Sequence, residues 1–162
     1  MVILLPKSPE IFEEVVAQHY DDIYRFALSL AGQESDAVDL TQSAFLKFAR
    51  KGGTIRESKK AKSWLFAVVR NEFIDQKRKN TRFPTQEIDP EHHSTTSTAA
   101  CKTDEHAVIK SLASLPLPFR ETLALYYLQG YTYSEIAEIL KIPVGTVMSR
   151  LSRGKVLLRQ KL

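Results

Sequence analysis

The residues of this chain best suited to chemistry are polar and basic side chains on a short helical pattern near its C-terminus. Residues 131–153, YTYSEIAEILKIPVGTVMSRLSR, predict two short helices, with Thr132 and Glu135 spaced as a capping box and Pro143 ending the first helix. Hydroxyl and guanidinium groups on the second helix can hydrogen-bond to base edges and phosphates. The pattern therefore predicts a helix-turn-helix whose second helix enters the DNA major groove. The candidate contacts are Thr146, Ser149, Arg150, Arg153 and Lys155.

A plain αα-hairpin would show the same two helices, and the charge distribution favours DNA binding over that alternative. Residues 141–162 hold six Lys or Arg and no Asp or Glu. A hairpin that only packs in a bundle has no need of such an imbalance, whereas a phosphate backbone attracts it. Lys141 stands where many such motifs carry a turn glycine.

A second concentration of positive charge lies nearer the N-terminus. Residues 47–82 hold twelve Lys or Arg and three Asp or Glu, a net charge of +9, between acidic segments of −6 (residues 1–46) and −5 (residues 83–140). Two basic segments that alternate with acidic ones predict two separate contacts with a polyanion. The amide of Asn71 could also hydrogen-bond to a base edge, and Trp64 and Phe66 could stack on an unpaired base. A single tryptophan in a helical stripe more often packs in the core.

Helical periodicity and capping residues predict the elements that position these groups. Helices are expected over residues 8–31, 36–51 and 61–79, then from Asp104 to a break at Leu117-Pro118, from Phe119 to Leu128, and through the helix-turn-helix. Residues 81–103, with Pro84, Pro90 and the run STTST, predict a flexible linker. The predicted fold is all-α, with two small helical domains, residues 8–80 and 104–162, joined by that linker.

The composition excludes several classes of protein. With 43% hydrophobic and 26% charged residues, the chain can bury a core. The single Cys101 excludes a disulfide framework, and the opening MVILLP is too short for a signal sequence. No run approaches the roughly 20 apolar residues of a membrane span. We therefore expect a soluble cytoplasmic protein with no membrane insertion.

Neither catalysis nor a cofactor is expected. The sequence shows no nucleophile–base pair or phosphate-binding loop, and His92, His93, Cys101 and His106 fit no standard zinc spacing. An enzyme that processes nucleic acids would need clustered metal-binding acids in the basic N-terminal region. Only three acids occur there: Glu57, Glu72 and Asp75.

The second predicted helix carries a polar, partly acidic strip over two turns, formed by Asp36, Asp39, Gln42 and Ser43. Such a strip is either a solvated helix face or a docking site for a basic or polar partner helix. Local chemistry alone leaves both alternatives open.

Taken together, these segments resemble the extracytoplasmic-function (ECF) group of sigma-70 family sigma factors. YRFALSLAGQESDAVDLTQSAFLKFAR resembles the group's first conserved domain, and SWLFAVVRNEFIDQKRKN resembles its −10 promoter-recognition segment. SLPLPFRETLALYYLQGYTYSEIAEILKIPVGTVMSRLSRGKVLLR resembles its −35-binding domain. The order of these motifs, the gap between them and the chain length also agree with the group.

The resemblance implies a sigma factor that binds core RNA polymerase and directs promoter-specific initiation through −10 and −35 recognition and DNA melting. It assigns the acidic strip to docking, with Asp36, Asp39 and Gln42 on the β′ clamp helices. It also implies contacts with the β flap and promoter DNA, and an anti-sigma factor as regulator. The implied −10 contacts are Arg56, Lys59, Lys60, Lys62, Arg70, Asn71, Asp75 and Arg78. The rival hypothesis, a self-sufficient dimeric helix-turn-helix regulator, explains the C-terminal half but neither the acidic strip nor the second basic segment.

Overall fold

The structure, a computed structural model, describes residues 9–51, 55, 57–82 and 103–162, and every element in these ranges is helical. The N-terminal domain contains α1 (Pro9–Ala31), α2 (Glu34–Lys51) and α3 (Ser58–Arg82). The C-terminal domain contains α4 (Thr103–Ala113), α5 (Leu117–Leu123), a π-helical turn (Ala124–Leu128), α6 (Tyr133–Leu140) and α7 (Val144–Lys161). The predicted all-α fold with two helical domains is confirmed.

Two predicted boundaries differ from the structure. Helix α3 extends three residues beyond its predicted range at each end. Helix α5 begins at Leu117 instead of after the predicted break at Leu117-Pro118, because Pro116 is its N-cap and Pro118 lies in its first turn. A proline in that turn breaks no hydrogen bond, since the first N–H groups of a helix have no partner within it. Residues 83–102, most of the predicted linker, lie outside the described residues.

The core is one continuous cluster of buried apolar side chains contributed by both domains. In the N-terminal domain Phe26 meets Phe66 edge-on, with ring centroids 5.0 Å apart. Tyr131 of the C-terminal domain also lies edge-to-face with Phe66, with ring centroids 5.7 Å apart. The two domains are therefore packed against each other through a shared aromatic contact.

Within the described part of the chain, no helix combines the length and apolar character needed to cross a bilayer. The same residues include no group of three or more His, Cys, Asp or Glu that could hold a metal ion. His92, His93 and Cys101 lie outside the ranges that the structure describes.

Candidate nucleic-acid and docking interface

The helix-turn-helix forms as predicted, beginning with its capping box. The Thr132 hydroxyl accepts a hydrogen bond from the Glu135 N–H at 3.2 Å, and the Thr132 N–H donates to Glu135 Oε2 at 2.9 Å. Lys141 ends α6 in the left-handed region, at φ 54°, and Pro143 precedes α7. The two helices pack with their apolar residues buried, which leaves the opposite face of α7 exposed.

The five predicted DNA contacts on α7 do not share one face. Ser149 and Arg153 are exposed, and Thr146 is half-buried. The Arg150 guanidinium instead turns inward, where Nη1 donates to Glu121 Oε1 at 3.2 Å. The Lys155 ammonium lies 5.9 and 5.8 Å from the ring centroids of two tyrosines, Tyr126 and Tyr127. A cation over aromatic rings is held there by the ring quadrupoles.

Two neighbours of Ser149 and Arg153 were missed by sequence reasoning. Met148 is 53% exposed, and Ser152 is exposed beside it. Residues 148, 149, 152 and 153 follow helical spacing and form one strip, called here the α7 strip. Their spacing was visible in the sequence, but Met148 carries no charge to mark it.

A glycine allows α7 to lie close to α5. A Cβ built on Gly154 would come within 2.9 Å of Leu123 Cδ1 and 3.3 Å of Phe119 Cβ. Gly154 is buried, so a larger residue would have to displace these neighbours. The close approach of the two helices is also what brings Arg150 to Glu121 of α5.

The basic side chains on and before α3 divide into bound and exposed groups. Lys62 pairs with Asp22 at 2.8 Å, and Arg70 Nε donates to Glu121 Oε2 at 2.8 Å. Exposed residues at helical spacing form a second strip, the α3 strip: Asn71, Asp75 and Arg78. Lys59 and Lys60 are exposed in the first turn, and Arg56 lies outside the described residues.

Asp22 of α1 pairs with two cations, Lys62 near the N-terminal end of α3 and Arg25 of α1. Burial on its own favours the protonated carboxyl, but Lys62 and Arg25 outweigh burial and hold the pKa of Asp22 below its usual value. Arg25 Nη2 lies 2.6 Å from Asp22 Oδ1. Lys62 is therefore engaged by a charged partner on α1 and is not simply a free phosphate ligand.

The aromatic residues of α3 are part of the core. Phe66 is fully buried. Trp64 is half-buried and its ring lies 5.9 Å from that of Phe48. In this arrangement Phe66 cannot stack on an unpaired base, and Trp64 packs against α2.

Three of the four residues of the acidic strip of α2 are exposed, and Ser43 is half-buried. Asp36, Asp39 and Gln42 all face solvent, while Leu40 and Ala44 on the opposite side are buried. Sequence reasoning missed Leu46, which continues this strip and is 58% exposed.

Two family models match separate parts of this chain. Residues 15–83 match Sigma-70 region 2, and residues 105–158 match Sigma-70, region 4. The first match spans most of α1 and all of α2 and α3, and the second includes the helix-turn-helix. Together they cover most of the chain.

Curated relatives match over most of this chain. It is 33% identical to the ECF RNA polymerase sigma factor SigM of Bacillus subtilis over 149 residues, covering 88% of this chain and 90% of SigM. It is 30% identical to SigW of the same organism, covering 94% of this chain and 89% of SigW. It is 32% identical to SigE of Mycolicibacterium smegmatis, covering 93% of this chain and 61% of that longer relative.

Solved structures share the fold. The sigma factor RpoE from Bartonella quintana, solved in complex with the anti-sigma factor NepR, superposes with a TM-score of 0.74 at 28% identity, covering 93% of this chain and 95% of RpoE. CnrH, solved with the cytosolic domain of CnrY, superposes with a TM-score of 0.67 at 22% identity, covering 95% of this chain and 88% of CnrH, and supports the fold alone. With both sigma-70 regions matched, the chain belongs to the ECF group of sigma factors, which recognise promoters for RNA polymerase.

Proposed function

We propose that this protein binds core RNA polymerase through α2 and recognises promoters at two points, with α7 at the −35 element and α3 at the −10 element. The observation that carries the proposal is the exposed α7 strip of a capped helix-turn-helix, where Arg153 faces solvent and the Ser149 hydroxyl, which donates to the Thr146 carbonyl at 3.1 Å, can still accept a hydrogen bond. The proposed domains are residues 8–80 and 104–162.

At the −35 element, Ser149 and Arg153 are the proposed base and phosphate contacts, with Met148 and Ser152 beside them. Each well-placed contact to a base is worth about 1–3 kcal/mol of discrimination. Thr146 and Lys155 flank this strip and are proposed to contact the backbone. Because Arg150 is held by Glu121, its proposed part is to support α7 from behind.

At the −10 element, the α3 strip is the proposed contact with the non-template strand. Asn71 can both donate and accept hydrogen bonds, Asp75 can accept them, and Arg78 can bind phosphate. Lys59, Lys60 and Arg56 are proposed to hold the backbone nearby. Binding an extruded base shifts the duplex toward its melted state, since only the melted state offers that base.

Polymerase makes the two contacts act together. Each domain alone would make a few base contacts, too few for strong discrimination. Docking through Asp36, Asp39 and Gln42, with the C-terminal domain on the β flap, would fix the separation of the two domains. The second contact then forms at a high effective concentration.

Catalysis would belong entirely to polymerase, and we propose that this protein acts in the cytoplasm without a cofactor. Its similarity to RpoE, which was solved with an anti-sigma factor, supports an anti-sigma factor as a regulatory partner of this chain. The anti-sigma factor itself would be a separate protein.

Reversing one charge of the α2 strip tests the docking surface. Asp39→Lys should abolish co-purification with core polymerase and promoter-specific run-off transcription while the helical content stays unchanged. Glu13→Lys, a reversal at an exposed position of α1, is the matched control and should still bind core. Normal co-purification of the Asp39→Lys protein with core would refute the assignment.

The rival regulator is tested by promoter binding with and without core polymerase. We expect specific promoter binding only with core, because each domain alone makes too few contacts. Strong specific binding of promoter duplex by the protein alone would instead support a self-sufficient regulator.

A further inference from the structure

The inference concerns two apolar side chains on the exposed surface of α7. Met148 is 53% exposed, and Val144, one turn before it, is 42% exposed. Both lie outside the buried stripe that includes Val147 and Leu151. A single exposed apolar residue is common on protein surfaces, but these two are neighbours at helical spacing. Together they form an apolar patch at the start of α7.

The patch lies where a helix-turn-helix meets base edges. In such motifs the N-terminal residues of the second helix contact the bases in the major groove. Val144 is the first residue of α7, and Met148 follows one turn later. Met148 also belongs to the α7 strip, beside Ser149 and Arg153. Its side chain is therefore among those that would enter the groove.

The chemistry of the groove limits what Met148 can contact there. Base pairs present hydrogen-bond donors and acceptors in the major groove, and the C5 methyl of thymine is the apolar group among them. A thioether donates no hydrogen bond and is only a weak acceptor. Methionine is also long and unbranched, so its end can conform to an irregular surface. The thymine methyl is therefore the group that Met148 matches.

The next residue, Ser149, fits the same base pair. Its hydroxyl donates to the Thr146 carbonyl oxygen at 3.1 Å, which leaves the hydroxyl oxygen as an acceptor. That acceptor suits the amino group of adenine or cytosine. An A·T pair presents both an amino group and a methyl in the major groove, whereas a G·C pair presents no methyl. Met148 and Ser149 are thus both compatible with an A·T pair.

We propose that Met148 is a specificity-determining residue, which makes α7 prefer thymine at one position of the −35 element through contact with the C5 methyl group. This inference rests on the proposed role of α7 at the −35 element. It adds the chemical group that is read and the side chain that reads it.

A protein partner is the competing explanation for the exposed methionine. Met148 also lines a surface groove together with Tyr133 and Val156. Val156 is 54% exposed, but it lies eight residues further along α7, which is roughly 12 Å along the helix axis. Val156 therefore shares the groove with Met148 without sharing its place at the start of the helix, and Val156→Ala is the matched control.

Selection of DNA by the complete holoenzyme tests the proposal. Full-length protein bound to core polymerase selects from promoter duplexes with a random −35 region, prepared once with thymine and once with uracil, which lacks only the C5 methyl. Wild type should enrich thymine at one position and lose that enrichment in the uracil library. Met148→Ala should show no difference between the libraries there, because alanine ends at Cβ and cannot reach the methyl. Val156→Ala should behave as wild type.

A single selected duplex gives the size of the effect. Replacing thymine by uracil at the enriched position should weaken binding by wild-type holoenzyme about fourfold, the value expected for burying one methyl-sized group. The same replacement should change binding by Met148→Ala less than about twofold. Any effect of uracil on the duplex itself is common to both proteins, so the comparison isolates the side chain. Circular dichroism checks that both variants keep their helices.

The outcomes separate this inference from the proposed function. A preference for thymine over uracil that persists in Met148→Ala would overturn the role of Met148. Loss of core binding by both Met148→Ala and Val156→Ala, with that preference intact, would identify the groove as a protein contact and also overturn it. Enriched −35 positions that are all insensitive to uracil would support the −35 role of α7 and reject the inference alone. A wild-type holoenzyme that enriches no −35 position would contradict the proposed function itself.

Discussion

The two basic helices, α3 and α7, place their arginines in the same way, but one helix contacts Glu121 within its own domain and the other contacts it from the opposite domain. Each helix turns one arginine inward onto Glu121 and presents another to solvent, Arg78 on α3 and Arg153 on α7. Glu121 belongs to the same domain as Arg150 and to the opposite domain from Arg70. The same carboxylate therefore makes one contact within its own domain, with α7, and one contact between domains, with α3.

This difference shows why a charge count overstates a DNA-binding surface. The segment of residues 47–82 has a net charge of +9, yet four of its cations pair with acids of the protein itself, one of them through the exposed Lys60–Glu57 pair. Lys47 pairs with Glu72 at 2.6 Å, Lys62 with Asp22, and Arg70 with Glu121. The surface of α3 that is ready to meet DNA is therefore smaller than its charge suggests.

The largest effect is expected from Arg150→Ala. Its loss removes a hydrogen bond to a buried carboxylate but leaves Glu121 paired with Arg70, so the free energy of unfolding should fall by about 2 kcal/mol. Urea unfolding followed by circular dichroism measures this change. Arg159→Ala, at an exposed position on the same helix, is the control and should change stability by less than about 0.5 kcal/mol.

The opposite pattern would give Arg150 the base contact that the sequence predicts. In that case Arg150→Ala would unfold like the Arg159→Ala control while the holoenzyme lost −35 discrimination. Arg150 would then be a DNA contact, and α7 would not hold one of its arginines against Glu121 as α3 does.

A smaller effect is expected from Arg153→Ala, which tests the exposed arginine of α7. It should weaken binding of a −35 promoter by the holoenzyme by about 1–2 kcal/mol and leave the unfolding free energy unchanged. Promoter titration at fixed salt measures the affinity, and urea unfolding supplies the stability. Unchanged affinity would remove Arg153 from the proposed contact.

Local signals were enough to predict much of the fold, but the roles of the arginines depend on contacts between distant elements. The Thr132–Glu135 capping box and Pro143 act within a few residues, and the structure shows both as predicted. Arg150 and Arg153 are both cations on one helix, and only packing against α5 decides which faces Glu121. That acid lies 29 residues from Arg150 and 51 from Arg70 along the chain, so no periodic pattern connects them. Glu121 is the single acid of α5, beside apolar residues, and this was the signal in the sequence that could have identified it as a buried partner for arginine.

Asp22→Asn should release Lys62 on α3 and lower the unfolding free energy at pH 7 by about 1 kcal/mol or less, since Asp22 is partly exposed. Because Lys62 and Arg25 lower the pKa of Asp22, the stability it provides is present above its unfolded value of 3.8 and is lost as pH falls through the folded pKa. The wild-type protein should therefore lose this increment below about pH 4, and the Asn variant should lack it. Urea midpoints at pH 7 and pH 3 measure the difference, with the exposed Asp21→Asn as control. Equal pH slopes in wild type and Asp22→Asn would contradict the ion pairs at the start of α3.

The smallest effect is expected from Lys141→Gly, at the turn that sets the direction of α7. Lys141 is the one non-glycine residue with positive φ among those described, and a side chain in that region costs about 1–2 kcal/mol. Glycine removes this strain but loses more entropy on folding, so a net gain of about 0.5–1 kcal/mol in unfolding free energy is expected. Lys141→Ala keeps the strain and should bring no such gain. A Lys141→Gly protein less stable than Lys141→Ala would mean that the lysine side chain itself supports the turn.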